Sequence, residues 1–245
     1  MSPRIMLATG VRVLLQLRHD PRTLALLMVV PCVLLALIKG AFTGQAGTFD
    51  RIGGPLIGLF PLIIMFLITS ITMLRERTTG TLERLMTMPL SKLDLLAGYA
   101  VAFALVAAVQ AAIVGAFAYL ILGLDTAGSP ALVIVLAIAN ALLGMSLGLF
   151  TSAFARTEFQ AVQFMPAFIL PQLLLCGLFV PRHDMVGFLE AISWALPMTY
   201  AYDALSRVTE NGSLGGEGLG DLGVTIGATL LALVLGAMTL RRRTA

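Results

Sequence analysis

Charge is what this chain has least of. Only 12% of its 245 residues are Asp, Glu, Lys or Arg, where an ordinary soluble domain carries roughly 25%. With 58% of residues hydrophobic, the composition describes an integral membrane protein. Lysine is almost missing. Lys39 and Lys92 follow Ile38 and Ser91, which excludes the Gly-Lys-Ser/Thr end of a phosphate-cradling loop. The chain has two histidines, His19 and His183, and two cysteines, Cys32 and Cys176. No HExxH, CxxC or His/acid cluster forms from them, so no metal or other cofactor is expected in this chain. Both cysteines fall in apolar runs and read as small packing residues. Those runs hold no acid or base beyond Lys39 at a border, so the ion-coupling residues of a secondary transporter are absent too. No basic stretch points to nucleic acid.

What is present is hydrocarbon in lengths that cross a bilayer. Runs of about 18 or more uncharged residues lie at Thr23–Phe42 (interrupted by Lys39), Gly53–Leu74, Leu95–Leu124, Ala127–Ala155, Gln160–Pro181 and Leu222–Leu240. The fold class expected is therefore all-α integral membrane, with six transmembrane helices. If both termini are cytoplasmic, the inside segments hold twelve of the sixteen Lys and Arg residues, leaving Lys39, Arg51, Arg182 and Arg207 outside. That asymmetry obeys the positive-inside rule. More than twenty residues precede the first apolar run and no A-x-A site follows it, so no cleavable signal peptide is expected.

The most charged stretch is Arg75–Leu96, R-E-R-T-T-G-T-L-E-R-L-M-T-M-P-L-S-K-L-D-L-L, between the second and third spans. Gly80 can break the helix leaving the membrane. Thr81 fits an N-cap and Glu83 the first turn, where the helix dipole favours an acid. Leu82, Leu85 and Met86 share a face, Pro89 stops the helix, and Ser91-x-x-Asp94 has the form of a capping box for the next. The reading is an amphipathic helix of about 9 residues, some 13 Å long, whose apolar face needs either the bilayer interface or another protein.

R-E-R-T-T-G-T-L-E-R-L followed by P-L-S resembles the cytoplasmic signature of ABC-2 type permeases, the membrane subunits of exporters akin to the daunorubicin/doxorubicin drug exporters. The resemblance implies that this segment is a coupling helix docking on a separate ATPase. It implies that Arg75 and Glu76 are the charged pair, that Gly80, Thr81, Leu82 and Glu83 form the turn and helix start, and that Leu85 and Pro89 are the docking residue and helix stop. The likeness returns at Cys176–Pro181 and Leu196–Tyr200. There it implies an extracellular re-entrant helix pair acting as a gate, with Gly177, Phe179, Pro181, Pro197 and Tyr200 at matching positions. A single crossing over Met185–Ala201 would bury Glu190, at about 2.5–3.5 kcal/mol, so a hairpin reads better, with Trp194 and Tyr200 at headgroup level.

Elsewhere, residues 1–22 alternate Ile5, Val11, Leu14, Leu15 and Leu17 with Arg4, Arg12 and Arg18. They read as an amphipathic interfacial (elbow) helix, ahead of a membrane domain over 23–245. Pro31 reads as a kink that neighbouring helices repair. Met65, Thr69 and Thr72 share one face of the second span, where the hydroxyls either line a pathway or bond back to the backbone. Gln163 and Gln172 of the fifth span lie about 180° apart on a regular helix, and which of them meets a substrate stays open. Gly144-Met145-Ser146-Leu147-Gly148 has the G-x-S-x-G form of a hydrolase but lies in an uncharged helix rather than on a strand-to-helix turn. Gly144 and Gly148 fit a close helix contact better. The glycine-rich residues 210–223 are expected as a flexible outer loop, and Gly218-x-Gly220-x-x-Gly223 as linker.

The expectation is a non-catalytic permease in the cell's inner or plasma membrane, exporting a hydrophobic drug or lipid-like molecule. Its expected partners are two copies of an ABC ATPase, which would hold the ATP and magnesium, a second permease chain (identical or paralogous), lipid and the small substrate. Polysaccharide or glycolipid export is the alternative within the class, and a non-transporting membrane sensor or assembly protein the alternative outside it.

Overall fold

The computed structural model describes residues 3–44, 47–81 and 92–239, and every regular element among them is helical. In chain order these are α1 (Pro3–Arg18), α2 (Pro21–Ala41), α3 (Thr48–Thr78), α4 (Lys92–Ala116), α5 (Pro130–Thr151), α6 (Glu158–Leu175), α7 (Gly187–Ser193), α8 (Pro197–Asn211) and α9 (Gly215–Thr239). A π turn, Phe117–Ile121, ends α4, and a 3₁₀ turn, Arg182–Asp184, precedes α7.

Five helical segments are long and apolar enough to cross a bilayer: Pro21–Ala41, Thr48–Thr78, Ala97–Ile121, Pro130–Thr151 and Gly215–Thr239. The sixth expected span corresponds to α6, whose 18 residues include Glu158, Gln160, Gln163 and Gln172, and it is not among the five. The helix ends at Leu175, and Gly177 follows at φ +104°, a backbone state that costs a residue with a Cβ.

The bundle is built on α3 crossing α5. Between helices in lipid there is no hydrophobic drive, so association rests on close packing. The sequence answers with Gly144 and Gly148. A Cβ on Gly144 would meet the Leu62 carbonyl oxygen at 2.0 Å, and one on Gly148 would meet the Phe66 carbonyl at 2.3 Å. Ser146, the hydrolase-like serine, sits inside this contact, fully buried and bonded to the Leu143 carbonyl at 2.8 Å. Thr69 donates to the carbonyls of Met65 in its own helix (2.6 Å) and Met145 in α5 (3.2 Å), tying the same seam.

Proline shapes α2. Pro31 has no N–H, so the carbonyl four residues earlier, at Leu27, has no helical donor. Gln110 of α4, fully buried, supplies one from its Nε2 at 2.9 Å. The repair expected of a neighbouring helix is thus a single side chain.

α1 packs on the start of α4. A Cβ on Gly98 would strike Thr9 Cβ at 2.6 Å and the Met6 carbonyl at 2.8 Å. One correction concerns residues 210–223. The turn between α8 and α9 is short, and helix resumes at Gly215. Glu217 and Asp221, one turn apart at the start of α9, both meet Arg207 of α8, at 2.6 and 3.3 Å. Acids also suit a helix N-terminus. These pairings offset the poor helix propensity of the glycines.

Two ends of the bundle result. The α1 end gathers α1, the last turn of α3, and the first turns of α4 and α6. The α8 end gathers the start of α3, the 3₁₀ turn, α7 and α8.

Candidate functional site

At the α1 end, the last turn of α3 carries three consecutive charges, Arg75, Glu76 and Arg77, and the first two point different ways. Successive residues on a helix are about 100° apart, so Arg75 and Glu76 cannot serve the same neighbour. Arg75 holds Glu158, the first residue of α6, through two bonds of 2.7 and 3.1 Å. Glu76, 5% exposed, turns to α1. Arg12 Nη1 donates to its two carboxylate oxygens at 3.2 and 3.4 Å, and Gln16 Nε2 donates to Oε1 at 3.3 Å. Arg12 Nη2 continues to the Tyr99 hydroxyl of α4 at 2.5 Å, with its guanidinium 5.7 Å from the Tyr99 ring centre. One turn of α3 is therefore bonded to α1 and α6, and through Arg12 it is linked to α4.

That turn lies directly before the charged segment. Thr79 N–H closes α3 on the Arg75 carbonyl, and Gly80 takes φ +72°, so the chain breaks at Gly80. Leu82, Glu83, Leu85 and Pro89 lie outside the described residues. Both neighbouring starts are capped. Asp20 caps α2 by accepting from the N–H and the hydroxyl of Thr23, bonds that hold its carboxyl below the usual range. Thr157 caps α6 by accepting from Gln160 N–H, and Gln160 returns the bond to Arg156 N–H, a reciprocal capping box. The Arg75 bond likewise lowers the Glu158 carboxyl. Between α1, the α2 start and the end of α3 lies a cavity of about 470 Å³, lined by Leu17, Asp20, Ile71, Thr72 and Phe103 among others.

The model of the ABC-2 type transporter family matches residues 6–209, a range that begins in α1 and ends in α8 and includes both ends of the bundle. The chain belongs to the ABC-2 type transporter family.

Among curated proteins it is similar to a probable multidrug ABC transporter permease of Escherichia coli K12, YbhR, with 31% identity over 62% of this chain and 42% of that one. It is similar to the linearmycin resistance permease LnrN of Bacillus subtilis, with 28% identity over 69% and 44%. ABC transporter G family member 20 of Dictyostelium discoideum matches at 27% over 59% of this chain and 20% of its own length. The chain thus spans less than half the length of the curated relatives it matches.

In this ABC-2 chain the five positions expected from the resemblance to form an outer gate all lie at the α8 end. Gly177 forms the turn after α6, where a Cβ would come within 3.2 Å of Tyr202. Phe179 is 63% exposed. Pro181 enters the 3₁₀ turn, Pro197 opens α8, and the Tyr200 hydroxyl bonds the Trp194 carbonyl at 2.7 Å. The segment Met185–Ala201 is two helices divided at Leu196, not one. Asn140 of α5 holds α8 in place through the Ala201 carbonyl at 3.1 Å.

The pathway candidates separate. Met65 and Thr69 are fully buried in the α3–α5 seam. Thr72 lines the cavity at the α1 end. Gln163 is exposed. Gln172 is buried and serves α8, accepting from the Met198 N–H at 3.4 Å. Arg12, Tyr99, Glu158 and the Arg182–Asp203 pair were not singled out from sequence. The available signal was Asp203-x-x-x-Arg207, an i, i+4 pair on a segment otherwise rich in apolar residues.

Proposed function

We propose that this chain is the membrane permease of an ATP-driven exporter, powered by a separate ATPase that docks on the 80–89 segment. The observation that carries the reading is the Arg75–Glu76 pair: the turn next to the docking segment is bonded to α1 and α6 at once, and through Arg12 to α4. A push on residues 80–89 would reach three helices besides α3 through charge-assisted bonds, which are shorter and stronger than neutral ones. The positive-inside distribution puts the α1 end in the cytoplasm, where ATP is. Both termini then face the cytoplasm, α6 acts as the sixth span despite its glutamines, and α7 and α8 form the outer re-entrant pair.

A pathway would run between two such chains, identical or paralogous, bound to two ATPase copies. The names of the curated relatives, one multidrug and one linearmycin resistance, support a hydrophobic drug or lipid-like substrate. Gln163, exposed among the apolar residues Ala161, Val162, Phe164 and Met165, is better placed toward a partner chain or a pathway than toward lipid. The test is charge reversal at Glu83. In Glu83→Lys, export of the substrate from cells should fail while the protein still inserts and accumulates at the wild-type level. Export at the wild-type rate would overturn the coupling role.

A further inference from the structure

At the α8 end the chain carries a part-buried ion pair that the export reading does not use. Arg182, from the turn between α6 and α7, donates Nη2 to Asp203 of α8 at 2.6 Å, with 17% and 13% of the two side chains exposed. The same guanidinium lies 4.3 Å from the ring centre of Trp194, just past the end of α7. Arg182 thus bridges three pieces of the cap, the turn, Trp194 and α8, of which Trp194 and α8 are also tied by the Tyr200 hydroxyl. Beside it opens a cavity of about 290 Å³, and Glu190, one helical turn before Trp194, lines it together with Arg182.

We propose that Arg182 is a proton-released latch: with Asp203 ionised it clamps the turn and Trp194 to α8, and with Asp203 neutral it swings across the cavity to Glu190. The groups facing Asp203 come from four directions. Arg182 from the turn and Arg207 from its own helix favour its charge, while Asp221 of α9 opposes it. Cys176 approaches from the end of α6. Around the cavity stand Arg51 of α3, His183 beside Arg182, and Glu210. Arg51 is bonded to Glu210 at 3.2 Å and His183 lies 3.4 Å from Asp184, so Glu190 is the acid left to receive Arg182. Burial dominates the balance and pushes the Asp203 carboxyl up to about 6. The acid is charged at neutral pH and loses its charge in mild acid.

Trp194 is the only tryptophan, which makes it a reporter on the latch. The experiment is intrinsic fluorescence of the purified full chain in detergent micelles, titrated from about pH 8 to about pH 4.5. Wild type should show one transition in Trp194 emission, centred near the Asp203 value of about 6. Asp203→Asn should abolish it and His183→Gln should leave it. Arg182→Gln should move any remaining transition of Asp203 upward, because the cation that favours its charged form is gone. Glu190→Gln should lower the midpoint, because the acid-side state loses the group that receives Arg182, and should change the emission reached in acid. A flat wild-type profile overturns the latch, as does a transition that survives Asp203→Asn or disappears with His183→Gln. Should Asp203→Asn fail to fold, the wild-type, His183→Gln and Arg182→Gln titrations still decide. Neither ATPase nor substrate is needed, so the outcome is independent of the export reading.

Discussion

Both ends of the bundle set a carboxylate against an arginine, Glu76 buried and Asp203 part-buried, and the surroundings differ. Glu76 accepts from two side chains of α1, Arg12 and Gln16, and sits on the last turn of an unbroken 31-residue helix. Asp203 accepts from one, Arg182, borne on a three-residue turn. A carboxylate with several donors on a long helix makes a joint that carries force. A carboxylate with one donor on a short turn makes a joint that can be released. On the proposed reading, the α1 end transmits movement and the α8 end yields to it.

The largest effect should come from breaking the stiff end. Glu76→Ala leaves Arg12 part-buried against Tyr99 with no acid, and should cost about 3 kcal/mol, the lower end of what breaking a buried pair costs. Thermal unfolding in detergent measures it, and a shift no larger than that of a surface variant would erase the contrast. A smaller effect is expected at the α8 end. Asp203→Asn keeps an acceptor for Arg182 and removes a part-buried charge, so at neutral pH it should change stability by no more than about 1 kcal/mol. The sign of the pH dependence is fixed. The folded value of Asp203, about 6, lies above the reference 3.8, so the charged form is the costly one and the cost is relieved as pH falls through about 6. Wild type should therefore gain stability relative to Asp203→Asn between neutral pH and about pH 5. Smallest of all, Glu158→Gln breaks the exposed pair with Arg75, where both side chains are more than half exposed. The expected loss is about 0.5 kcal/mol and falls with salt.

Much of the bundle was legible because long uncharged runs have few other uses. Their ends were less so, since charge does not end a helix. α3 runs from Thr48 to Thr78, past Asp50, Arg51, Arg75, Glu76 and Arg77, and stops where Gly80 takes a left-handed conformation. The close contact at Gly144 and Gly148 was readable from spacing alone, but not that its partner is α3, because spacing names one face and never the opposing one. The 210–223 stretch was misread because its glycines were weighed without Arg207, whose pairing with Glu217 and Asp221 depends on two helices meeting. The Arg12–Glu76–Tyr99 joint was invisible for the same reason. Its other two members are 64 and 87 residues from Arg12 along the chain, and only the fold brings them together. Arg75 and Glu76, by contrast, were singled out through family resemblance, and the fold shows what each one holds.

The measurement that tests the central claim most directly is co-purification. The tagged chain would be isolated in mild detergent and the proteins that accompany it assayed for ATP hydrolysis, in wild type and in Leu85→Asp. The account predicts an ATP-hydrolysing subunit bound to wild type and lost from Leu85→Asp, because a charge on the apolar docking face would have to be desolvated on binding. An ATPase that stays bound to Leu85→Asp, or none bound to wild type while a permease dimer is preserved, would contradict it and leave the α1 end a membrane anchor.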